Sequence, residues 1–298
     1  MEKRQLGKTG MAVSVLGFGG AEIGFEGASK KDVNDLLAKA LDLGLNAIDT
    51  AECYVNSEEL IGEAIGARRS DFYLFTKCGH KDGFKDAWSK EEIAASIEKS
   101  LKNLKTDHVD LLQLHSCGKD VLAKGDVVEA LKKAQSEGKC RFIGYSGDGQ
   151  DARYALEMGV FDTLQTSVNI FDQECIELTL PLAVKQGVGV IAKRPIGNAV
   201  WRHHTKPDNT YVHEYYDRMK SLDYDFLRNG KAESAAEIAL RFTLSQPGVS
   251  TMIVGTKNPD RWKANADLVS RGALPADEIS KIRAAWHKVA KADWIGQV

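Results

Sequence analysis

Eight short apolar segments lie along the chain, and each is rich in β-branched or aromatic residues. They fall at residues 15–20, 46–51, 72–78, 109–115, 141–147, 163–169, 187–193 and 250–256. Between them lie stretches with the apolar spacing of amphipathic helices, among them residues 31–43, 89–104, 127–137, 234–245 and 259–269. Strands that alternate with helices form βαβ units and a parallel sheet. Eight such units predict an α/β fold, the closed (β/α)8 TIM barrel, with an extra helix at the C-terminus.

A chain of 298 residues with 43% hydrophobic residues is long enough for one large barrel with additions. No linker rich in Pro, Gly or Ser divides it, so residues 1–298 are predicted to form a single domain. Residues 3–16, with a Gly-Lys-Thr-Gly turn at positions 7–10, predict a β-hairpin that caps the barrel floor. Residues 196–231 predict a long aromatic loop after the seventh strand. It is either a wall of the substrate pocket or a surface excursion packed on its own aromatic residues.

Charge and cysteine content narrow the class of protein. The formal net charge is -2 and the basic residues are scattered, which argues against nucleic acid as a partner. The first ten residues lack the apolar run of a secretory signal, and no stretch of 18 apolar residues follows. Five cysteines without a CxxC pair are typical of reduced thiols. We therefore expect a cytoplasmic protein without a membrane segment.

Ionisable residues occupy the C-terminal ends of three consecutive predicted strands, where barrel enzymes carry their catalytic groups. These residues are Asp49, Lys77 and His115, and Tyr54 follows Asp49 by five positions. A nearby ammonium favours an ionised tyrosine, so Lys77 is expected to lower the pKa of Tyr54. Asp49 would hold Lys77 in place by pairing with it. His115 would orient a substrate carbonyl by donating a hydrogen bond, or share the proton.

Three motifs carry a resemblance to a known family. They are Asn46-Ala47-Ile48-Asp49-Thr50-Ala51-Glu52-Cys53-Tyr54, continued by Glu58-Glu59-Leu60-Ile61-Gly62; Thr76-Lys77; and Val109-Asp110-Leu111-Leu112-Gln113-Leu114-His115. In these motifs the chain resembles the aldo-keto reductases, and the similarity extends over nearly its whole length. The resemblance implies the reduction of an aldehyde or ketone to an alcohol, with NADPH as hydride donor and NADH as the alternative cofactor. It makes Tyr54 the proton donor and gives Asp49 and Lys77 the role of tuning it, while His115 positions the carbonyl.

The resemblance implies that the cofactor binds without a Rossmann unit, and the sequence agrees, because Glu22 occupies the third glycine position of a dinucleotide fingerprint. By resemblance, Ser146, Gln165 and Asn169 meet the nicotinamide carboxamide, and Asn265 contacts the adenine. Asn258 and Pro259 predict a helix start whose free backbone N–H groups receive phosphate. The full set of predicted cofactor residues is Gly19, Ser146, Gln165, Asn169, Lys193, Arg194, Gly255, Thr256, Lys257, Arg261 and Asn265. Lys257 and Arg261 suit the 2'-phosphate of NADPH.

The chain departs from the family pattern at three places. Gly147-Asp148 follows Ser146 where the family commonly has asparagine, and Ala264 replaces an acidic residue before Asn265. Lys193-Arg194 stands where many members carry an aromatic residue that stacks on the nicotinamide. A cation over the ring would disfavour its oxidised form, so Lys193 either points elsewhere, for example to the pyrophosphate, or tilts the redox preference.

Alternative functions remain open at this stage. Cys78, His80, His115 and Cys117 are residue types that bind zinc, but strand alternation turns Cys78 and His80 away from Lys77, so no metal is predicted. A barrel lyase would use Lys77 as a Schiff base. A third hypothesis is a slow nicotinamide-binding sensor that regulates a partner. The sequence leaves the physiological substrate and the choice between monomer and homo-oligomer undetermined.

Overall fold

Eight parallel strands form a closed barrel in the computed structural model, which describes residues 1–81, 85–230 and 232–297. In chain order the strands are β1 (Lys3–Gln5), β2 (Ala12–Ser14), β3 (Leu16–Gly19), β4 (Ala47–Asp49), β5 (Tyr73–Cys78), β6 (His80–Lys81), β7 (Lys85–Asp86), β8 (Val109–His115), β9 (Cys140–Ser146), β10 (Thr163–Ser167), β11 (Gly189–Lys193) and β12 (Val249–Val254). The barrel runs in the order β10, β11, β12, β3, β4, β5, β8, β9. The predicted (β/α)8 barrel is confirmed, and each predicted strand overlaps one barrel strand.

Helices follow the barrel strands and cover the outside of the sheet. They are α1 (Ala21–Phe25), α2 (Lys30–Asp42), α3 (Ser57–Ile65), α4 (Lys90–Leu104), α5 (Lys119–Leu122), α6 (Asp126–Ser136), α7 (Gly149–Glu157), α8 (Cys175–Leu178), α9 (Leu180–Gln186), α10 (His213–Leu222), α11 (Asp225–Asn229), α12 (Ala232–Leu244), α13 (Pro259–Val269) and α14 (Ala276–Val289). Short 3-10 segments lie at Gly66–Asp71, Gly197–Arg202 and Thr210–Val212. The extra C-terminal helix expected from the sequence is α14.

Alternation along the strands separates an outer core from the barrel interior. Ile48, Leu74 and Leu112 belong to the large outer cluster that also contains the apolar faces of the helices. Phe75 and Leu111, one position away, pack inside the barrel. Because side chains alternate between faces, the residues two positions further along each strand also point inward, toward the C-terminal end. The barrel interior is therefore apolar near the floor and polar near the top.

The N-terminal hairpin closes the barrel floor, as predicted. Strands β1 and β2 pair antiparallel, and the fully buried Leu6, Met11 and Val13 pack against interior residues of the barrel strands. A Cβ on Gly189 would lie 2.7 Å from Leu6 Cγ, so only glycine lets the hairpin approach this strand so closely.

The segment after β11, predicted as a long aromatic loop, contains helical structure. Residues 196–230 contain α10, α11 and two 3-10 segments, and Lys231 lies outside the described residues. Tyr215 and Met219 of α10 are buried in a second apolar cluster with Trp286 of α14. Trp294 packs there too, with its ring centroid 5.4 Å from that of Trp286. Most aromatic residues of this segment thus form a satellite core beside the barrel.

Two further sequence expectations can be compared with the structure. All five cysteines are buried. Within the described part of the chain, no helix combines the length and apolar character needed to cross a bilayer.

Candidate active site

A buried ion pair lies at the centre of the barrel mouth. Lys77 Nζ donates to Asp49 Oδ2 at 2.5 Å and to the carbonyl oxygen of Thr50 at 2.8 Å. Both charged side chains are 1% exposed. Lys77 lies two residues after the interior Phe75, and Asp49 lies two after the interior Ala47. Strand periodicity therefore brings the two charges together, and the predicted pairing of Asp49 with Lys77 is confirmed.

Two glutamines complete the surroundings of Asp49, and sequence reasoning missed one of them. The amides of Gln113 and Gln165 donate to Asp49 Oδ1 at 3.2 and 2.9 Å. Gln113 lies two residues before His115 on β8 and so faces the same interior, which is the signal that could have identified it. A buried carboxylate is stable only when it is paired and hydrogen-bonded, and Asp49 has both kinds of partner.

Tyr54 lies directly above this pair. Its hydroxyl oxygen is 3.5 Å from Lys77 Nζ, and Lys77 Nζ lies 4.9 Å from the centroid of the Tyr54 ring. Burial raises the pKa of Tyr54 well above its ordinary value, and the charge of Asp49 raises it further. The expectation of a lowered pKa is therefore wrong for this structure, because burial and the charge of Asp49 together outweigh the effect of the Lys77 ammonium. Tyr54 is held as a protonated phenol.

Close packing fixes the loop that carries Tyr54. A Cβ on Gly24 would lie 2.1 Å from the carbonyl oxygen of Tyr54, so the loop at α1 approaches this backbone only because residue 24 is glycine. The Ser57 hydroxyl donates to the carbonyl oxygen of Gly20 at 2.7 Å. The buried Glu52 accepts a hydrogen bond from Ser96 of α4. The loop is thus tied to both neighbouring segments.

His115 faces Tyr54 across the site, with ring centroids 5.7 Å apart. Burial and the positive charge of Lys77 hold the pKa of His115 well below its ordinary value, so the imidazole is neutral. Its Nδ1 lies 3.4 Å from Cys53 Sγ. Burial raises the pKa of the Cys53 thiol to about 12, which keeps the sulfur protonated and able to donate to Nδ1. This contact favours the tautomer with hydrogen on Nε2.

Cys78 and His80, whose residue types can bind zinc, point in different directions. Cys78 packs in the outer core, where its thiol donates to the carbonyl oxygen of Gln113 at 3.5 Å, as strand alternation predicted. The prediction that His80 also turns away is wrong, since its ring centroid lies 5.3 Å from that of His115. Gly79, with φ of 106°, ends the alternation between them. Across residues 1–81, 85–230 and 232–297 no group of three or more metal-ligating side chains is found.

The residues predicted to meet the nicotinamide cluster at the ends of β9 and β10. Ser146 Oγ donates to Gln165 Oε1 at 3.1 Å, while the amide nitrogen of Gln165 is turned to Asp49. The side-chain oxygen of Asn169 accepts from the backbone of Phe171 at 2.8 Å. Its buried side-chain amide also interacts with the Tyr215 hydroxyl. Amide and hydroxyl groups such as these are the donors and acceptors that a carboxamide requires, so this end of the site fits a nicotinamide.

Two of the departures from the family pattern contact each other. Lys193 Nζ lies 2.8 Å from Asp148 Oδ2, and Arg194 Nη1 lies 3.9 Å from the same oxygen. Burial opposes ionisation of Asp148, but these two cations and the N–H of Ser167 hold the pKa of this carboxyl below its ordinary value. The structure thus gives Lys193 a partner that the sequence did not predict, the Asp148 carboxylate.

The proposed phosphate end begins at α13. Asn258 caps this helix as predicted, because its Oδ1 accepts from the N–H groups of Asp260 and Arg261 at 2.8 and 3.3 Å. The expectation of free N–H groups there is therefore wrong for these two donors. The Arg261 side chain is exposed and makes no hydrogen bond or ion pair within the described ranges. Asn265 is buried on the same helix, and Thr256 accepts from the backbone of Asn258.

Acidic side chains occupy other parts of the phosphate end. A Cβ on Gly255 would lie 1.5 Å from Glu22 Oε2, so the Glu22 carboxyl packs directly against this glycine. Gly19 is also a close neighbour of Gly255. Burial raises the pKa of Glu22. Lys257 Nζ is 3.2 Å from a carboxylate oxygen of Glu26. Phosphate groups at this end would thus require Glu22 to be neutral or displaced.

Comparison with known proteins places this geometry in a family. The profile of the Aldo/keto reductase family matches residues 15–287. The chain belongs to the aldo/keto reductase family. L-galactose dehydrogenase of Arabidopsis thaliana is 29% identical over 99% of this chain and 97% of its own length. A probable voltage-gated potassium channel subunit beta of the same plant is 27% identical over 90% of this chain and 91% of its own. The holo form of aldo-keto reductase AKR11C1 from Bacillus halodurans superposes with a TM-score of 0.82, 29% identity and 96% of each chain covered.

Membership establishes the general chemistry of this aldo/keto reductase. It is an NAD(P)H-dependent oxidoreductase, and proteins of this family act on small-molecule carbonyl substrates. The residues quoted for the resemblance converge on one site in the structure, with Asp49, Tyr54, Lys77 and His115 at the barrel mouth.

Proposed function

We propose that this aldo/keto reductase uses NADPH to reduce an aldehyde or ketone to an alcohol, with Tyr54 as proton donor. When bound, the reduced nicotinamide supplies the hydride. Tyr54 gives its phenolic proton to the carbonyl oxygen, and the neutral His115 donates a hydrogen bond from Nε2 to the same oxygen. Asp49 and Lys77 act through Tyr54 as positioning residues.

The observation that carries the proposal is the position of Tyr54 over the Lys77–Asp49 pair, 3.5 Å from the ammonium. A tyrosinate formed in the reaction would gain a cation at hydrogen-bond distance, while the phenol before the reaction is only weakly affected. The cation thus stabilises the product of proton transfer more than the starting state. Such differential stabilisation is what accelerates a proton transfer.

The protonation states of the site favour reduction. The raised pKa of Tyr54 keeps the phenol protonated at neutral pH, as a proton donor requires. The lowered pKa of His115 keeps this imidazole neutral, so it donates a hydrogen bond without competing as an acid. The alkoxide formed by hydride transfer is a much stronger base than tyrosinate, and the proton therefore moves from Tyr54 to the product.

The rest of the proposed cofactor set lies along one side of the mouth. Ser146, Gln165 and Asn169 supply amide and hydroxyl groups for the carboxamide, beside Lys193 and Arg194. Gly19, Gly255 and Thr256 line the path to α13, where Asn265 would contact the adenine. The exposed guanidinium of Arg261, together with Lys257, would bind the 2'-phosphate and favour NADPH over NADH.

The test is Tyr54→Phe, assayed with a panel of aldehydes and ketones and with both NADPH and NADH. We expect kcat to fall by about 10² to 10⁴, the usual value of a positioned proton donor, while the Kd for NADPH stays within about threefold. Tyr224→Phe is the matched control, because it removes a buried hydroxyl that donates to the carbonyl oxygen of Ile170 in the satellite core. Retained turnover in the Tyr54 variant would contradict the assignment.

A regulatory nicotinamide sensor is the second candidate, and the similarity to potassium channel beta subunits favours it. The two functions differ in turnover: a sensor binds NADPH but oxidises it with no carbonyl in the panel. The lyase alternative is disfavoured, because Lys77 is 1% exposed and its ammonium already donates to Asp49 and Thr50. Borohydride trapping of a carbonyl on Lys77 would reverse that conclusion.

A further inference from the structure

A second charged group, Asp148 with Lys193 and Arg194, borders the site and has no part in the proton transfer described above. The Lys193 side chain lies two residues after the interior Ile191 and so points into the barrel mouth. Its ammonium disfavours protonation of His115 and is itself repelled by Lys77, so it shares the barrel mouth with these residues, which lie across from it on β8 and β5.

Asp148 is built into this position by several contacts. Its Oδ1 accepts from the backbone N–H of Ser167 at 2.6 Å and from the hydroxyl of Thr166 at 2.8 Å. Its Oδ2 accepts from Ser167 Oγ at 3.2 Å and pairs with Lys193 at 2.8 Å. The Asp148 side chain is 4% exposed and that of Lys193 is 11% exposed. A carboxylate with four donors in a buried site stays ionised and fixed.

The balance of charge matters because of the chemistry of nicotinamide. The oxidised ring carries a positive charge and the reduced ring carries none. A cation beside the ring would therefore weaken binding of the oxidised form only, whereas a carboxylate paired with that cation would cancel most of the effect.

We propose that Asp148 is a tuning residue that neutralises Lys193 at the nicotinamide site and thereby allows this enzyme to bind the oxidised cofactor. The proposal rests on the proposed function, because it requires nicotinamide to bind beside Lys193. It also accounts for two departures at once: Asp148 after β9 and Lys193 at the end of β11 form one paired unit.

The test measures the Kd of NADP⁺ and of NADPH for the full-length protein and compares their ratio, Kd(NADP⁺)/Kd(NADPH), between variants at pH 7. Both forms carry the same phosphates, so any change at the phosphate end cancels in the ratio. Asp148→Asn keeps the shape of the side chain and removes its charge. An uncompensated charge at a typical separation of about 10 Å and an effective dielectric constant of about 20 is expected to raise the ratio about tenfold. For a two-electron couple, that corresponds to a rise of about 30 mV in the potential of the bound cofactor.

Two further variants make the result specific. Asp148→Asn combined with Lys193→Met removes both charges and is expected to bring the ratio back toward the wild-type value. Asp110→Asn is the matched control. It removes a buried carboxylate paired with Arg69 (2.8 Å) and Arg141 (2.6 Å) near the opposite end of β8, and should leave the ratio unchanged.

The outcomes separate the two proposals. A wild-type protein that binds neither nicotinamide form overturns the proposed function and this inference with it. If the wild-type protein binds both forms, a ratio in Asp148→Asn within threefold of the wild-type ratio overturns the inference alone. Should Asp148→Asn fail to fold, Lys193→Met carries the test. This single variant leaves Arg194 as the cation paired with Asp148, so the ratio Kd(NADP⁺)/Kd(NADPH) must fall. An unchanged or increased ratio rejects the tuning role.

Discussion

Three residues at the barrel mouth have a left-handed backbone that their side chains disfavour. Val55, Ser116 and Arg194 have φ values of 54°, 58° and 54°, and each directly follows a residue of the proposed site. Such a conformation costs on the order of 1 to 3 kcal/mol at a residue other than glycine and persists only where the surroundings enforce it. The barrel therefore supplies stability that fixes the direction in which the preceding side chain points.

The titration of the Glu22 carboxyl is expected to make cofactor affinity depend on pH. Its carboxyl lies against Gly255, and burial together with the charge of Glu26 raises its pKa, although its own backbone N–H lowers it. Phosphates placed at this end favour the neutral carboxylic acid, so binding takes up a proton. We expect the Kd for NADH to fall as the pH falls from 8 to 5. Glu22→Gln should bind about tenfold more tightly than wild type at pH 8 and lose this dependence.

Fluorescence titration with NADH measures this effect without the 2'-phosphate, whose own titration near pH 6 would obscure it. Glu129→Gln is the control, because it removes an equal charge from an exposed position on α6, where Glu129 pairs with Lys90. Equal affinities for wild type and Glu22→Gln at every pH would show that Glu22 does not face the bound cofactor.

Among the elements, α10 links the segment after β11 to the C-terminus of the chain. Arg218 of α10 is buried, pairs with Asp172 at 3.6 Å and donates to the carbonyl oxygen of Ile295 at 2.7 Å. It also lies 5.6 Å from the centroid of the Trp294 ring. Beyond this anchor, Gly296 packs against Asp148, where a Cβ would lie 2.0 Å from its Cγ. The C-terminal residues therefore pack directly against the Asp148 carboxyl group.

Arg218→Lys should loosen this covering segment without removing the positive charge. A lysine keeps a cation near Asp172 but cannot also reach Ile295, because it lacks the planar fork of donors. We expect about tenfold faster amide exchange in residues 294–297 and a loss of about 1 to 3 kcal/mol in the free energy of unfolding. Hydrogen exchange with mass spectrometry measures the first quantity and urea denaturation the second. Arg283→Lys on α14 is the control, and similar exchange in both variants would contradict the anchor.

The sequence predicts those strands and helices whose apolar periodicity and capping residues lie within the segment itself. The predicted segments 109–115 and 259–269 coincide with β8 and α13, because both have clear periodicity and the helix has an Asn-Pro start. The proposed site residues at strand ends follow from the same periodicity. The Asp148–Lys193 pair does not, because it joins two residues 45 positions apart in sequence, and the inward position of Asp148 depends on the loop after β9. The direction of the His80 side chain was predicted wrongly, because the positive φ at Gly79 interrupts the strand alternation and turns His80 toward the site.

At the scale of the whole molecule, the barrel has a dry floor and a charged mouth. Leu6 and Met11 of the hairpin fill the lower interior together with Phe75 and Leu111. The next inward layer carries the Lys77–Asp49 pair. An apolar plug beneath buried charges excludes water from below, so the charges are solvated mainly by one another and by the glutamine amides. The floor thus contributes to the electrostatics of the site as well as to stability.

This arrangement predicts that the hairpin and the barrel unfold as one unit, in keeping with a single domain over residues 1–298. Leu6→Ala removes a fully buried side chain from the floor and should reduce the free energy of unfolding by about 2 to 5 kcal/mol. Leu43→Ala, at a residue 37% exposed at the end of α2, should cost less than about 1 kcal/mol. Urea denaturation followed by circular dichroism and by tryptophan fluorescence should give coincident transitions for both variants. Separate transitions, or a Leu6 variant as stable as the Leu43 control, would mean that the hairpin is an appendage, and the dry floor would then need another explanation.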